Sequence, residues 1–95
     1  MITFFVYRTK EKDAKTGLHR YICARSTGYG LQLSAPGWDL NTEQVLSNLK
    51  KFGVLEDAKG YADTIQFVYI NHQKTLTLAD FEIVKLEVSV NIITN

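Results

Sequence analysis

The chain has 95 residues and a mass of 10.8 kDa, 45% hydrophobic and 12% aromatic, which suits one domain around one modest core and leaves no room for a cleft between lobes. Eleven Lys and Arg against ten Asp and Glu give a formal net charge of +1, so no global field draws in polyanions or polycations. The single cysteine, Cys23, excludes an internal disulfide framework and any multi-cysteine zinc site.

Residues 2–8 are rich in β-branched and aromatic side chains and predict a first strand. They carry no basic start and no small-residue cleavage site, so they do not read as a signal peptide. The longest apolar runs, such as 4–7 and 67–70, hold only four residues. A bilayer span needs about 20, so no membrane segment is expected. With a lone thiol and no export signal, the expected compartment is the reducing cytoplasm.

Residues 9–17 hold three lysines, Glu11, Asp13 and a closing glycine, and read as a solvated loop. A second strand is expected over 18–26, then a turn at Thr27-Gly28-Tyr29-Gly30 and a short third strand over 31–34. Pro36-Gly37 predicts another turn, because proline fixes φ at one position and glycine permits positive φ at the next. A helix follows from Asn41 as N-cap to Gly53 as terminator. Gln44 completes a capping box, Leu40 can staple onto Val45, and Val45, Leu46, Leu49 and Phe52 recur at helical spacing.

Residues 54–63 read as a mixed loop and 64–71 as a strand. Residues 75–81 are ambiguous: Leu76 and Leu78 continue a hairpin, or Thr77 caps one helical turn. In the tail Val84, Leu86, Val88, Val90 and Ile92 alternate with Lys85, Glu87, Ser89 and Asn91, the period of a strand with one buried face. The order β-β-β-α-β-β predicts one small α+β domain. Its antiparallel sheet of about five strands carries one amphipathic helix on a face.

Pairing the first two strands as a hairpin puts Ile2, Phe4, Val6, Ile22 and Ala24 on a face for the helix to cover. Thr3, Phe5, Tyr7, His19, Tyr21, Cys23 and Arg25 fall on the other. That second face admits two readings. In the plainer one, the 54–63 segment or the tail strand covers it, the tyrosines and histidine lying half-buried with polar tips in water. In the other it docks a partner, since aromatics and Arg are enriched where interfaces concentrate their energy. Phe5, Tyr7, His19, Tyr21, Arg25, Arg8 and Arg20 then form the candidate surface. Trp38 is either a further anchor or, more in keeping with a lone Trp, a plug at the helix entrance. Residues 1–30 carry six Lys and Arg against Glu11 and Asp13, a net of +4, while the other 65 residues net −3.

Catalytic and cofactor signatures are missing from the sequence. There is no G-x-S-x-G elbow, Cys23 lies mid-strand in apolar company, and His19 and His72 lack metal-ligand spacing. The 27–30 turn lacks the helix and Gly-Lys-Ser/Thr of a phosphate loop. The expected function is therefore a non-enzymatic protein-binding module acting by occupancy. It would be an inhibitor or adaptor, of the type phage and mobile elements use against host enzymes, needing no cofactor or metal. Exposed sheet edges suit strand addition, and homodimerisation is expected through an edge or through the aromatic face. The alternative is a nucleic-acid binder with Phe5, Tyr7 and Tyr21 as stacking platforms and Arg8, Arg20, Arg25 and the loop lysines on phosphates. The near-neutral total charge counts against it.

Overall fold

The computed structural model describes residues 2–27, 30–35, 40–65, 68–70 and 74–88. The chain runs β1 (Ile2–Thr9), β2 (Ile22–Thr27), β3 (Gly30–Leu33), α1 (Thr42–Ser47) and α2 (Leu55–Gly60). After α2 come a 3-10 turn (Tyr61–Thr64), β4 (Val68–Ile70), β5 (Lys74–Leu76), a second 3-10 turn (Leu78–Asp80) and β6 (Phe81–Val88). This is an α+β fold with antiparallel strands, as the element order predicts. Its described strands form two sheets rather than one: a pair β1-β6, and four strands in the order β2-β3-β4-β5. No helix of the described residues is long and apolar enough to cross a membrane. The turns expected at 28–29 and 36–37, Trp38 and His72 lie outside the described residues.

The expected β1-β2 hairpin does not form. β1 is not laddered with β2; it pairs antiparallel with β6, in register from Ile2 opposite Val88 to Thr9 opposite Phe81. Only an isolated bridge, Arg8 to Tyr21, links β1 to the approach of β2. The cause lies in the partners on offer. β6 sets Leu86 opposite Phe4 and Val84 opposite Val6, an unbroken ladder of matched apolar pairs. Residues 18–20, by contrast, stay outside any strand. Closing the longer loop costs only about 1.5 kcal/mol more than closing the short one, because the cost grows with the logarithm of length.

The β1-β6 ribbon is apolar on both faces. One face sets Phe4, Val6, Val84, Leu86 and Val88 against Val45, Leu49 and Tyr21. The other sets Tyr7, Phe81 and Ile83 against Ile22, Leu33, Ile65 and Leu76, with Phe52 and Tyr61 packed alongside. The packing of Phe4 and Val6 on the α1 stripe is as expected. Ile22 and Tyr21 have traded faces, which is what a one-residue slip does to a strand.

That double-sided core also shortens the helix. The expected helix 41–53 stops at Ser47. Val45 and Leu49 belong to one cluster and Phe52 to the other. A continuous helix would hold positions 45, 49 and 52 on one face and could not serve both. The chain instead straightens, Leu49 bridging Cys23 and Phe52 bridging Phe5. The Lys51 ammonium donates to the Leu46 and Leu49 carbonyls at 2.9 and 3.2 Å, satisfying acceptors left free where the helix ends.

The 54–63 segment, expected as a loop, holds α2 and its 3-10 extension, with Ala58 fully buried. Residues 75–81 realise both of their alternatives in succession. Lys74–Leu76 pairs with β4, and Thr77 caps the Leu78–Asp80 turn in a capping box with Asp80.

Candidate functional site

The candidate face fails as an exposed surface because its rings are inside. Tyr7 is 2% exposed and Tyr21 8%. The 54–63 segment covers Tyr7, as the plainer reading has it, although the ring is buried rather than half-buried, while Tyr21 packs with Val6, Val45 and Leu49 on the other face of the β1-β6 ribbon. The Tyr7 hydroxyl donates to the Ala58 carbonyl, and its ring meets Phe52 edge-on and Tyr61 at a tilt, with centroids 6.4 and 6.1 Å apart. Burial pushes the Tyr7 phenol pKa up, helped by Tyr61 and Asp63. Phe5 is half-buried in β1.

The basic residues act as fasteners. Arg8 Nε lies 3.0 Å from Glu82 Oε1 across the β1-β6 ladder. His19 donates from Nδ1 to the Thr9 carbonyl at 2.7 Å, the tautomer fixed because a carbonyl can only accept. Arg20 Nε donates to the Ser34 carbonyl at 2.8 Å, and its amide donates to Thr9 Oγ1 at 3.1 Å. Burial lowers the Arg20 pKa. Of the named residues among those described only Arg25 is exposed, and Trp38 lies outside the described residues. The structure thus brings Arg8, His19, Arg20 and Tyr21 together around the end of β1, as a structural knot. Their side-chain types were legible from sequence; the partners that hold them, Glu82 for Arg8, Thr9 for His19 and Ser34 for Arg20, depended on the tertiary fold.

Two open hollows flank this knot. One, of about 520 Å³, lies among Lys10, Lys12, Asp13, Arg20 and Asp80. Three of its charged side chains, Asp13, Arg20 and Asp80, are held by hydrogen bonds: Asp13 Oδ1 accepts from the Lys15 and Thr16 amides at 2.9 and 3.0 Å, and those bonds hold its carboxyl below the ordinary carboxylate value. The other, of about 350 Å³, is lined by Cys23, Arg25, Gln32, Ser34 and Asn48 among others. Burial raises the Cys23 thiol pKa, and among the described residues no His, Asp or Glu lines that hollow to take its proton. Among the described residues no three His, Cys, Asp or Glu side chains gather as metal ligands would.

The remaining candidate is a strand edge. The Lys10 amide donates to the Asp80 carbonyl at 2.9 Å. In the β1-β6 register this makes the even-numbered residues the hydrogen-bonded pairs. Odd residues of β1 therefore turn their backbone groups the other way, where Phe5 meets Phe52 and the Thr9 amide meets Arg20. By the same alternation Ile83, Lys85 and Glu87 direct N–H and C=O away from β1. Among the described residues no backbone partner meets them there. The other long edges are closed: segment 48–52 lies along both β2 and β1, the Ala24 amide donating to Asn48 at 2.8 Å and the Phe5 amide to Phe52 at 2.8 Å. Comparison with family models, curated proteins and solved structures finds no match for this chain.

Proposed function

We propose that this protein is a small non-enzymatic module that binds another protein by occupancy, as an inhibitor or adaptor, and that it does so along the outer edge of β6. One observation carries the reading: a strand of eight residues, Phe81–Val88, is laddered on one side and open on the other among the described residues. An incoming extended segment would gain main-chain hydrogen bonds from Ile83, Lys85 and Glu87, and side-chain selection from the alternating positions between them. Val84 and Leu86, both half-buried, offer the apolar part of that selection. In the reducing cytoplasm Cys23 stays a thiol and takes no part. The nucleic-acid alternative loses support, since two of its three stacking rings, Tyr7 and Tyr21, are buried.

The test is Lys85→Pro. Lys85 turns its amide outward, so proline there removes a docking donor without breaking the β1 ladder. Affinity purification from the native host with the wild type should return one stoichiometric protein, lost in Lys85→Pro at unchanged folding. Oligonucleotide binding that weakens steeply with salt and disappears in Arg25→Ala would contradict the reading.

A further inference from the structure

The charges along the open edge are arranged to accept one strand in particular. We infer that a second copy of this chain docks on it, β6 against β6 antiparallel, with the dyad at Leu86. The inference rests on the open-edge reading above and names the resting occupant of that edge.

Backbone geometry restricts the choice of register first. The outward-facing groups belong to odd residues, so a new antiparallel partner must oppose odd with odd. Among such pairings, charge then selects. Centring the dyad on Lys85 sets Lys85 against Lys85, and centring it on Glu87 sets Glu87 against Glu87, each a like-charge pair directly opposite. Centring it on Leu86 sets Lys85 against Glu87 of the second copy, and symmetry supplies the pair twice. Lys85 and Glu87 are both exposed, so both remain available for this exchange.

The even-numbered side chains agree with the same register. Leu86 meets Leu86 across the dyad, at the closer, non-hydrogen-bonded type of site, and Val84 meets Val88. These residues pack on the Val45 and Leu49 cluster, so the dimer extends an existing apolar layer. The two-stranded ribbon β1-β6 becomes the four-stranded sheet β1-β6-β6-β1, removing the open edge. A charged edge commonly serves to repel other strands. Here the order Lys85-Leu86-Glu87 repels in the flanking registers and attracts in the central one.

Charge exchange followed by sedimentation equilibrium tests this. Wild type should dimerise. Lys85→Glu places Glu against Glu and Glu87→Lys places Lys against Lys, so each single variant should weaken self-association on the order of tenfold to a hundredfold. Lys85→Glu/Glu87→Lys together should restore it. Mixing the two single variants should give a heterodimer, because each then meets its opposite at both sites. That mixture also shows both variants are folded. A wild type that stays monomeric up to about 1 mM, or a double variant and mixture that recover nothing, overturns the β6 dimer. If in that monomer the Ile83, Lys85 and Glu87 amides exchange freely, the open edge stands and only its occupant is wrong. If they are protected, the open-edge reading falls as well.

Discussion

Phe5 and Phe52 exchange both of their backbone hydrogen bonds, the Phe5 amide to the Phe52 oxygen at 2.8 Å and the Phe52 amide to the Phe5 oxygen at 2.9 Å. Two residues earlier the Lys50 amide donates to the Ile22 carbonyl at 3.1 Å. One short extended segment thus joins both sheets, closing the inner edge of the β1-β6 ribbon and the outer edge of β2. It leaves β6 as the long edge with nothing laid along it among the described residues.

The straightened segment distinguishes two leucines that a continuous helix would treat more alike. Leu49 is 1% exposed and Leu46 43%. Leu49→Ala should cost about 2–5 kcal/mol in urea unfolding, from lost burial plus the cavity left behind. Leu46→Ala should stay within about 0.5 kcal/mol of wild type.

Tyr7→Phe removes the hydroxyl bonded to the Ala58 carbonyl, which keeps its backbone donor at the end of α2, a loss of about 1 kcal/mol near neutral pH. The raised Tyr7 pKa means the folded state keeps that phenol proton longer than the unfolded chain does. Its contribution is present in full below the ordinary value of 10.0 and is lost as pH rises through the folded pKa. The gap in stability between wild type and Tyr7→Phe should therefore narrow in strongly alkaline denaturation curves. The comparison isolates Tyr7 from Tyr61, whose pKa burial also raises.

The 9–17 loop should be sensitive to acid and to its glycine. Backbone amides of Thr16 and Lys15 lower the Asp13 pKa below 3.8, so the turn they form is intact above that value and is lost as pH falls through the folded pKa. An NMR titration of the Asp13 carboxyl should show the depressed midpoint, and Asp13→Ala should loosen Lys15 and Thr16 at every pH. Gly17 has φ +70° with nothing within 4 Å of an added Cβ. Gly17→Ala should accordingly cost about 1–2 kcal/mol through backbone strain alone.

Cys23 should behave as a quiet thiol. Half-buried and with its pKa raised by burial, partly offset by Arg20, it should react with iodoacetamide more slowly in the folded protein than in urea at pH 7. Equal rates would contradict the described environment.

Local signals made much of the fold legible. β1, β3, the start of α1 at Asn41 and the tail strand follow from alternation, a cap and a period. What was not legible depended on pairing at long range. Position 7 reads as outward on a β1-β2 hairpin and as buried once β6 supplies the ladder and α2 the lid. Leu55, Ala58 and Tyr61 at helical spacing, after Glu56 and Asp57 in the first turn, were the available sign of α2. Val54, with no capping side chain, obscured it. The candidate site suffered most, because Arg8, His19 and Arg20 have the chemistry of a docking surface and the hydrogen bonds of a half-buried joint. An antiparallel sheet implies edges of some kind, but which strand lies at one among the described residues required the β1-β6 register.

Amide hydrogen exchange resolved along β6 in dilute solution tests the central claim most directly. The account predicts alternation: fast exchange at Ile83, Lys85 and Glu87, slow exchange at Val84 and Leu86, with the fast set slowing as protein concentration rises. Uniform protection of all five amides that persists on dilution would contradict it.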